Sequence, residues 1–384
     1  MTERYYAYWL CNLPGVGNRA ITRLLEACGG TAEGVYHASE EIWKRVLHEK
    51  QLERMKQLTA VWEPEREYER LKQQGIGFLL REDREYPARL RNIPDAPYGL
   101  FYQGSLPAED KLSVAIIGAR DCSAYGSYVA AELGRYLGKR DVQIVSGMAR
   151  GIDGISQEAA LAAGGSSFGV LGCGVDVCYP AQNRSLYDKL LKQGGVLSTH
   201  PPGTPARPQH FPPRNRIVSG LADAVVVIEA RNQSGTLITV DMALEQGKEV
   251  YVVPGRITDR LSDGCNSLLR QGAGVIVSPA VFYEELLGLQ KPSAERRKEG
   301  AEVREEADKR LEQSQTGRIH ALAPELAAVY EALDLYPSSI EEITDRLPSS
   351  YRLHPVNTLL MRLCMENLAV QVSPGHFCRK EYTF

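Results

Sequence analysis

The chain carries no basic surplus. Its 384 residues hold 45 Lys and Arg against 48 Asp and Glu, a formal net charge of −3. That balance excludes a protein that grips polyanions through bulk charge. The eight cysteines are scattered, with Cys173 and Cys178 the only close pair. No C-x-x-C occurs, and the seven histidines do not join cysteines at metal-ligand spacing. No metal site follows from this pattern, and reduced structural thiols in a cytoplasmic chain do. No apolar run reaches the ~18 residues of a membrane span. Residues 1–10 lack the look of a signal or transit segment. A G-x-x-x-x-G-K-[ST] phosphate loop is missing too.

What is present points to several domains. The length exceeds one ordinary domain, and 43% hydrophobic with 24% charged residues is enough to bury a core. Residues 1–62 read as a small all-helical domain headed by Leu13-Pro14-Gly15-Val16-Gly17. That turn is either the hairpin of a helix-hairpin-helix module, with amides offered to a DNA phosphate, or a plain helix-to-helix turn. A helix, a short strand at Gly77–Leu80 and a Pro-rich loop are expected up to residue 110. Apolar runs of strand length then fall at 114–117, 143–145, 168–171, 196–198, 224–228, 250–253 and 275–277, spaced by helical stretches. This predicts an α/β domain over residues 63–286, a doubly wound, extended Rossmann-like parallel sheet. Residues 287–318 read as a charged linker. Residues 319–384, three helical stripes and a hairpin, have a winged-helix-like outline.

In such sheets ligands bind beyond the carboxyl ends of the strands. The first strand ends in Gly118-Ala119-Arg120, where Arg120 replaces the second glycine of a G-x-G-x-x-G and argues against a dinucleotide. The second ends in Ser146-Gly147, an anion nest before a helix that Asp153 is placed to cap. The third ends in Gly172-Cys173-Gly174. Cys173 has no His within its loop and reads as a buried small residue. Tyr179, Asn183 and Arg184 follow.

Residues 199–220 hold three arginines, two histidines and no acid, on a frame stiffened by five prolines before Pro213. Arg214-Asn215-Arg216 there open a short helix aimed at an anion. Gly235 and Thr236 begin another helix after the fifth strand. Tyr179 and Phe211 are candidates either for stacking on bases or for packing. No Ser-His-Asp arrangement and no carboxylate pair poised for acid–base work appears on this rim, so no catalytic residue and no cofactor is expected. The rim suits a single strand, its phosphates in nests and its bases on rings.

Several ordered motifs carry a resemblance. Ser146-Gly-Met-Ala-Arg-Gly-Ile-Asp153 precedes Gly172-Cys-Gly-Val-Asp176, Tyr179-Pro180-x-x-Asn183 and Phe211-Pro-x-Arg-Asn-Arg-Ile217. Glu229-Ala-x-x-x-Ser234-Gly-Thr-Leu-Ile-Thr239, Val253-Pro-Gly255 and Gly264-Cys-Asn266 complete the series. Over about residues 65–286 the chain resembles the DNA-processing protein A (DprA, or Smf) family. The resemblance implies a bacterial cytoplasmic protein that binds single-stranded DNA, dimerises through its α/β domain and helps load the RecA recombinase during natural transformation. It further implies DNA contacts at Arg120, Ser146, Gly147, Asn183, Arg184, Arg214, Asn215, Arg216, Gly235 and Thr236.

The sequence departs from the family pattern at two places. Ser198-Thr199-His200-Pro201 stands where members often have Ser-Glu-Tyr-Pro, and Ala181 stands where some have lysine. A rival expectation is a nucleoside-monophosphate phosphoribohydrolase on a related fold, which would need Glu229 or Glu245 in catalysis. In the tail, five basic against eight acidic residues, with only Arg362 on the third helix, point to protein contact or dimer bracing rather than to duplex DNA.

Overall fold

A computed structural model describes residues 2–289, 322–351, 355–366 and 368–380. Most of the charged segment expected as a linker lies outside the described residues. The chain opens with helices α1 (Thr2–Cys11) and α2 (Asn18–Ala27), followed by four more that end with Pro64–Gln73. Ala7, Tyr8, Trp9 and Leu10 are all buried on α1, so the second half of this helix is enclosed on every side. The ring of Tyr8 packs against Trp62, Tyr68, Phe78 and Phe101. One apolar cluster therefore runs from the helical head into the edge of the sheet. The Leu13–Gly17 turn leads into α2, whose Asn18 side chain donates to the Asp95 and Ala96 carbonyls and accepts from the Tyr98 amide.

The sheet has nine strands in the order β1-β2-β6-β5-β4-β3-β7-β8-β9. In chain order these are β1 (Gly77–Leu80), β2 (Gly99–Gly104), β3 (Ser113–Ile117), β4 (Gln143–Ser146), β5 (Ser167–Val170), β6 (Gly194–Ser198), β7 (Ala224–Val227), β8 (Glu249–Val252) and β9 (Gly274–Val275). From β6 to β9 every pairing is parallel, as the alternating sequence predicts. The β1–β2 and β2–β6 pairings are antiparallel and enlarge the expected sheet. Residues 99–104 read as loop because prolines at 94, 97 and 107 crowd them. Each of those prolines falls outside the strand, where no ladder donor is lost.

Helices cover both faces, and β3, β4, β5, β6 and β7 are buried at every residue. The chain builds outward from β3 to β6, then returns to the other side of β3 with β7. This reversal places a topological switch point between β3 and β7, where their carboxyl ends part and leave a crevice. In the tail, helices Pro324–Ala332, Ile340–Arg346 and Val356–Met365 accompany a three-stranded antiparallel sheet of Ser338–Ser339, His376–Arg379 and Ala369–Ser373. They enclose a separate core around Val329, Ile343, Leu360, Leu363 and Phe377.

Candidate nucleic-acid interface

A cavity of about 660 Å³ lies over the switch point, and its two walls differ in kind. One wall comes from β4 and from the helix Phe211–Gly220. Here the polar groups bond to one another. Arg214 is only 6% exposed, and its Nη1 donates to the Gly147 carbonyl at 2.6 Å and the Val170 carbonyl at 2.5 Å. Its Nε donates to Asn215 Oδ1 at 3.1 Å. The Gly147 amide donates to Asp153 Oδ2 at 3.1 Å. Burial raises the Asp153 carboxyl above its usual range, and the nearby Arg214 charge opposes that rise. Asn183 Nδ2 donates to the Met148 and Ala149 carbonyls at 2.9 and 3.0 Å. The hydroxyl of Ser146, fully buried, donates to the Ile116 carbonyl at 2.6 Å.

The expected Ser146-Gly147 anion nest is thus turned inward, because Asp153 supplies the negative charge that a ligand would have brought. Asp153 also sits within the first turn of the helix Ile152–Ala162, whose cap is Gly151. Gly151 has φ +72°, and a Cβ there would strike the Ala119 carbonyl and meet the Arg120 carbonyl at 2.5 Å. Glycine at this position lets the β4 loop close against the β3 loop.

The other wall, from β3 and β7, leaves its polar groups open. Arg120 is exposed and, among the described residues, has no hydrogen bond or ion pair. Its guanidinium carbon lies 5.7 Å from the Phe211 ring centroid. The helix Gly235–Glu245 points its N-terminus into the cavity, with open space around Gly235. Thr236 Oγ1 donates to the Gly118 carbonyl at 3.4 Å. Arg231, exposed at the mouth, escapes the sequence pattern, while Ser234, already seen in its motif, has an Oγ shielded from solvent without a partner among the described residues. Arg231 is the lone cation between Glu229 and Ser234, the only signal that could have found it. At the lip, Tyr179 is 45% exposed and its ring lies 5.6 Å from Phe211 at 33°.

Not every expected site residue reaches the cavity. Arg120, Gly147, Arg214, Asn215, Gly235 and Thr236 line it, with Ser146 and Asn183 bracing the loop behind. Arg216 turns away, donating to the Pro94 carbonyl at 2.5 and 3.1 Å and pairing with Glu245 at 3.6 Å. Arg184 lies on the outer surface in an ion pair with Asp188 at 3.1 Å. Both carboxylates of the lining already have partners: Asp121 faces Arg150 at 3.5 Å, and Asp153 is held as described.

The two glutamates that a phosphoribohydrolase would need lie elsewhere. Glu229, 2% exposed, accepts from the Ser123 amide at 2.9 Å and from the Ser123 hydroxyl. It anchors the start of the helix Ala124–Gly138, and burial raises its carboxyl above the usual range. Glu245, at the far end of its helix, is tied to Arg216. Cys173 is buried, its thiol pushed up to about 11 by burial, which suits a structural residue. His200 stacks on His210 with centroids 4.2 Å apart. Burial and that neighbour lower His200 to about 4.

Comparison with known proteins gives a consistent result. Residues 77–287 match the family described as DNA recombination-mediator protein A. The DNA processing protein DprA of Bacillus subtilis is 40% identical over 216 residues, covering 56% of this chain and 73% of that protein. The X-ray structure of DprA from Streptococcus pneumoniae superposes with a TM-score of 0.62 at 34% identity, covering 72% of this chain and 95% of that one. A structure of DNA processing protein A from Helicobacter pylori, reported for its single-stranded DNA binding mode, gives a TM-score of 0.51 at 32% identity. It covers 55% of this chain and 95% of that one.

Proposed function

Because the chain belongs to the DNA recombination-mediator protein A family, we propose that it binds single-stranded DNA in the switch-point cavity. It acts there as a non-enzymatic mediator that helps load the RecA recombinase, in natural transformation or in general recombination. The observation that carries this reading is the asymmetry of the cavity. One wall offers an unpaired arginine, Arg120, and an open helix N-terminus at Gly235 and Thr236, while each carboxylate of the lining is already matched.

A phosphate is drawn by the amides and partial positive charge of the helix end, and Arg120 adds a fork of donors beside it. Tyr179 and Phe211 then offer faces to the adjoining base, a contact that tolerates any sequence. A duplex keeps its bases stacked inside and cannot present them to those rings. Asn215 is the polar edge within reach, and Arg214, Asn183, Ser146 and Gly147 act by holding the loops in place.

The same reading makes the protein a cytoplasmic homodimer that pairs through the α/β domain. It treats residues 1–62 as a helix-hairpin-helix-like head. It treats residues 319–384 as a winged-helix-like unit for protein contact, consistent with the acidic balance there. The test is fluorescence anisotropy with a labelled oligo-dT and a duplex of equal length. Retention of the single strand with little affinity for the duplex is expected. Equal affinity for both, or for neither, overturns the proposal.

A further inference from the structure

Among the contacts between the tail and the strand-end rim is one aromatic cluster. Tyr336, which follows the helix Pro324–Ala332, has its ring centroid 4.7 Å from that of Tyr125 at an interplanar angle of 44°. The Arg256 guanidinium carbon lies 4.5 Å from the same Tyr336 centroid. Both of its neighbours belong to the α/β domain. Tyr125 sits in the first turn of the helix that follows β3, with its hydroxyl donating to the Pro254 carbonyl at 3.3 Å. Arg256 follows β8 and is exposed. The tail also carries Glu342, whose Oε2 accepts from the Ser339 amide at 2.8 Å. Its carboxyl is held below the usual range chiefly by the Ser339 amide, with Arg346 and Arg256 adding to the effect.

An aromatic ring against a tyrosine and a guanidinium is the arrangement by which proteins hold an unstacked base of a single strand. Tyr336 thus takes the place of a base, on a unit whose overall balance is acidic. β8 is two strands from β3 in the sheet, about 10 Å at ordinary strand spacing. That distance is within reach of the next few nucleotides of a strand seated in the cavity.

We propose that Tyr125 and Arg256 form a second base-stacking subsite for single-stranded DNA, occupied here by Tyr336 as an internal substitute for a base. The subsite rests on the single-strand reading above. A short oligonucleotide fills the cavity and is indifferent to the tail. A longer one must displace Tyr336, so the tail sets a penalty that depends on strand length.

The experiment compares 8-nucleotide and 20-nucleotide oligo-dT on the full chain by anisotropy. Tyr336→Ala is expected to tighten the 20-mer roughly fivefold or more and to leave the 8-mer within about twofold. Tyr336→Phe, which keeps the ring, should match the wild type. Adding Arg256→Ala to Tyr336→Ala should remove the gain. A 20-mer affinity that is unchanged or weakened by Tyr336→Ala, with 8-mer binding intact, overturns the subsite alone. A gain that survives the loss of Arg256 also overturns it. Failure of every form of the protein to bind either oligonucleotide overturns the single-strand reading and the subsite with it.

Discussion

The two walls of the cavity are built from similar residue types and do opposite things. On the β4 side, an arginine and an asparagine donate to backbone carbonyls of the wall, and a glycine amide donates to a carboxylate. On the β3–β7 side, an arginine and a helix end face open space, and a shielded serine hydroxyl has no partner among the described residues. The difference teaches that a charged residue in a family motif can serve the scaffold or the ligand, and that burial decides which. Arg214, 6% exposed, has its donors committed to carbonyls at the ends of two strands. Arg120, whose guanidinium carbon lies 5.7 Å from the same Phe211 ring that Arg214 approaches at 5.6 Å, keeps its donors free of hydrogen bonds among the described residues.

The comparison breaks most readily at Arg214. Arg214→Ala leaves Asp153 buried without its counter-charge and strips the Gly147 and Val170 carbonyls of a donor. A loss of about 3–5 kcal/mol is expected, read from urea unfolding; stability equal to the wild type would make Arg214 a ligand group after all. Next in size is an acid effect at His200, which stacks on His210, the cap of the helix Phe211–Gly220. His200 is lowered to about 4 in the folded chain, against about 6.5 when unfolded. The unfolded state therefore takes up a proton that the folded state refuses. Stability falls as pH drops from about 6.5 toward 4, by up to about 2 kcal/mol at pH 5. His200→Gln should flatten this slope, and unfolding midpoints of both proteins at pH 7.5 and 5 measure it.

The open wall is probed by Arg120→Ala. Stability should stay within about 0.5 kcal/mol, while oligo-dT affinity falls roughly tenfold and the slope of log affinity against log salt shrinks by about one. A large fall in melting temperature instead would place Arg120 among the scaffold residues. The smallest effect is expected at Arg216, whose guanidinium is spent on the Pro94 carbonyl. Arg216→Ala should leave single-strand affinity within about twofold, and a loss as large as that of Arg120→Ala would show that its side chain swings back to the cavity.

Much of this architecture was legible beforehand. The apolar runs of β3 to β9 and the glycine-rich segments after them announced a parallel sheet with a polar rim. Strand β2 was hidden by flanking prolines, because a six-residue strand held between β1 and β6 depends on those neighbours rather than on its own pattern. Arg231 went unread because nothing local distinguishes it from a loop residue, and Ser234 stood in a motif without a site role of its own. The stacking of His200 on His210 joins positions ten apart across a proline-rich loop, a closure that no periodicity reports.

The amino-acid sequence by itself determined the strands, their covered faces and the rim on which glycines and arginines collect. These follow from local composition and spacing, which act over a few residues. Tertiary structure alone decided which arginine is free. Arg214 is consumed because β4 and β5 bring the Gly147 and Val170 carbonyls to one point, and Arg120 is spared because nothing comparable converges on it. Acceptors that meet from distant parts of the chain leave no trace in the spacing of residues, so the division between scaffold and contact appears only once the sheet has closed.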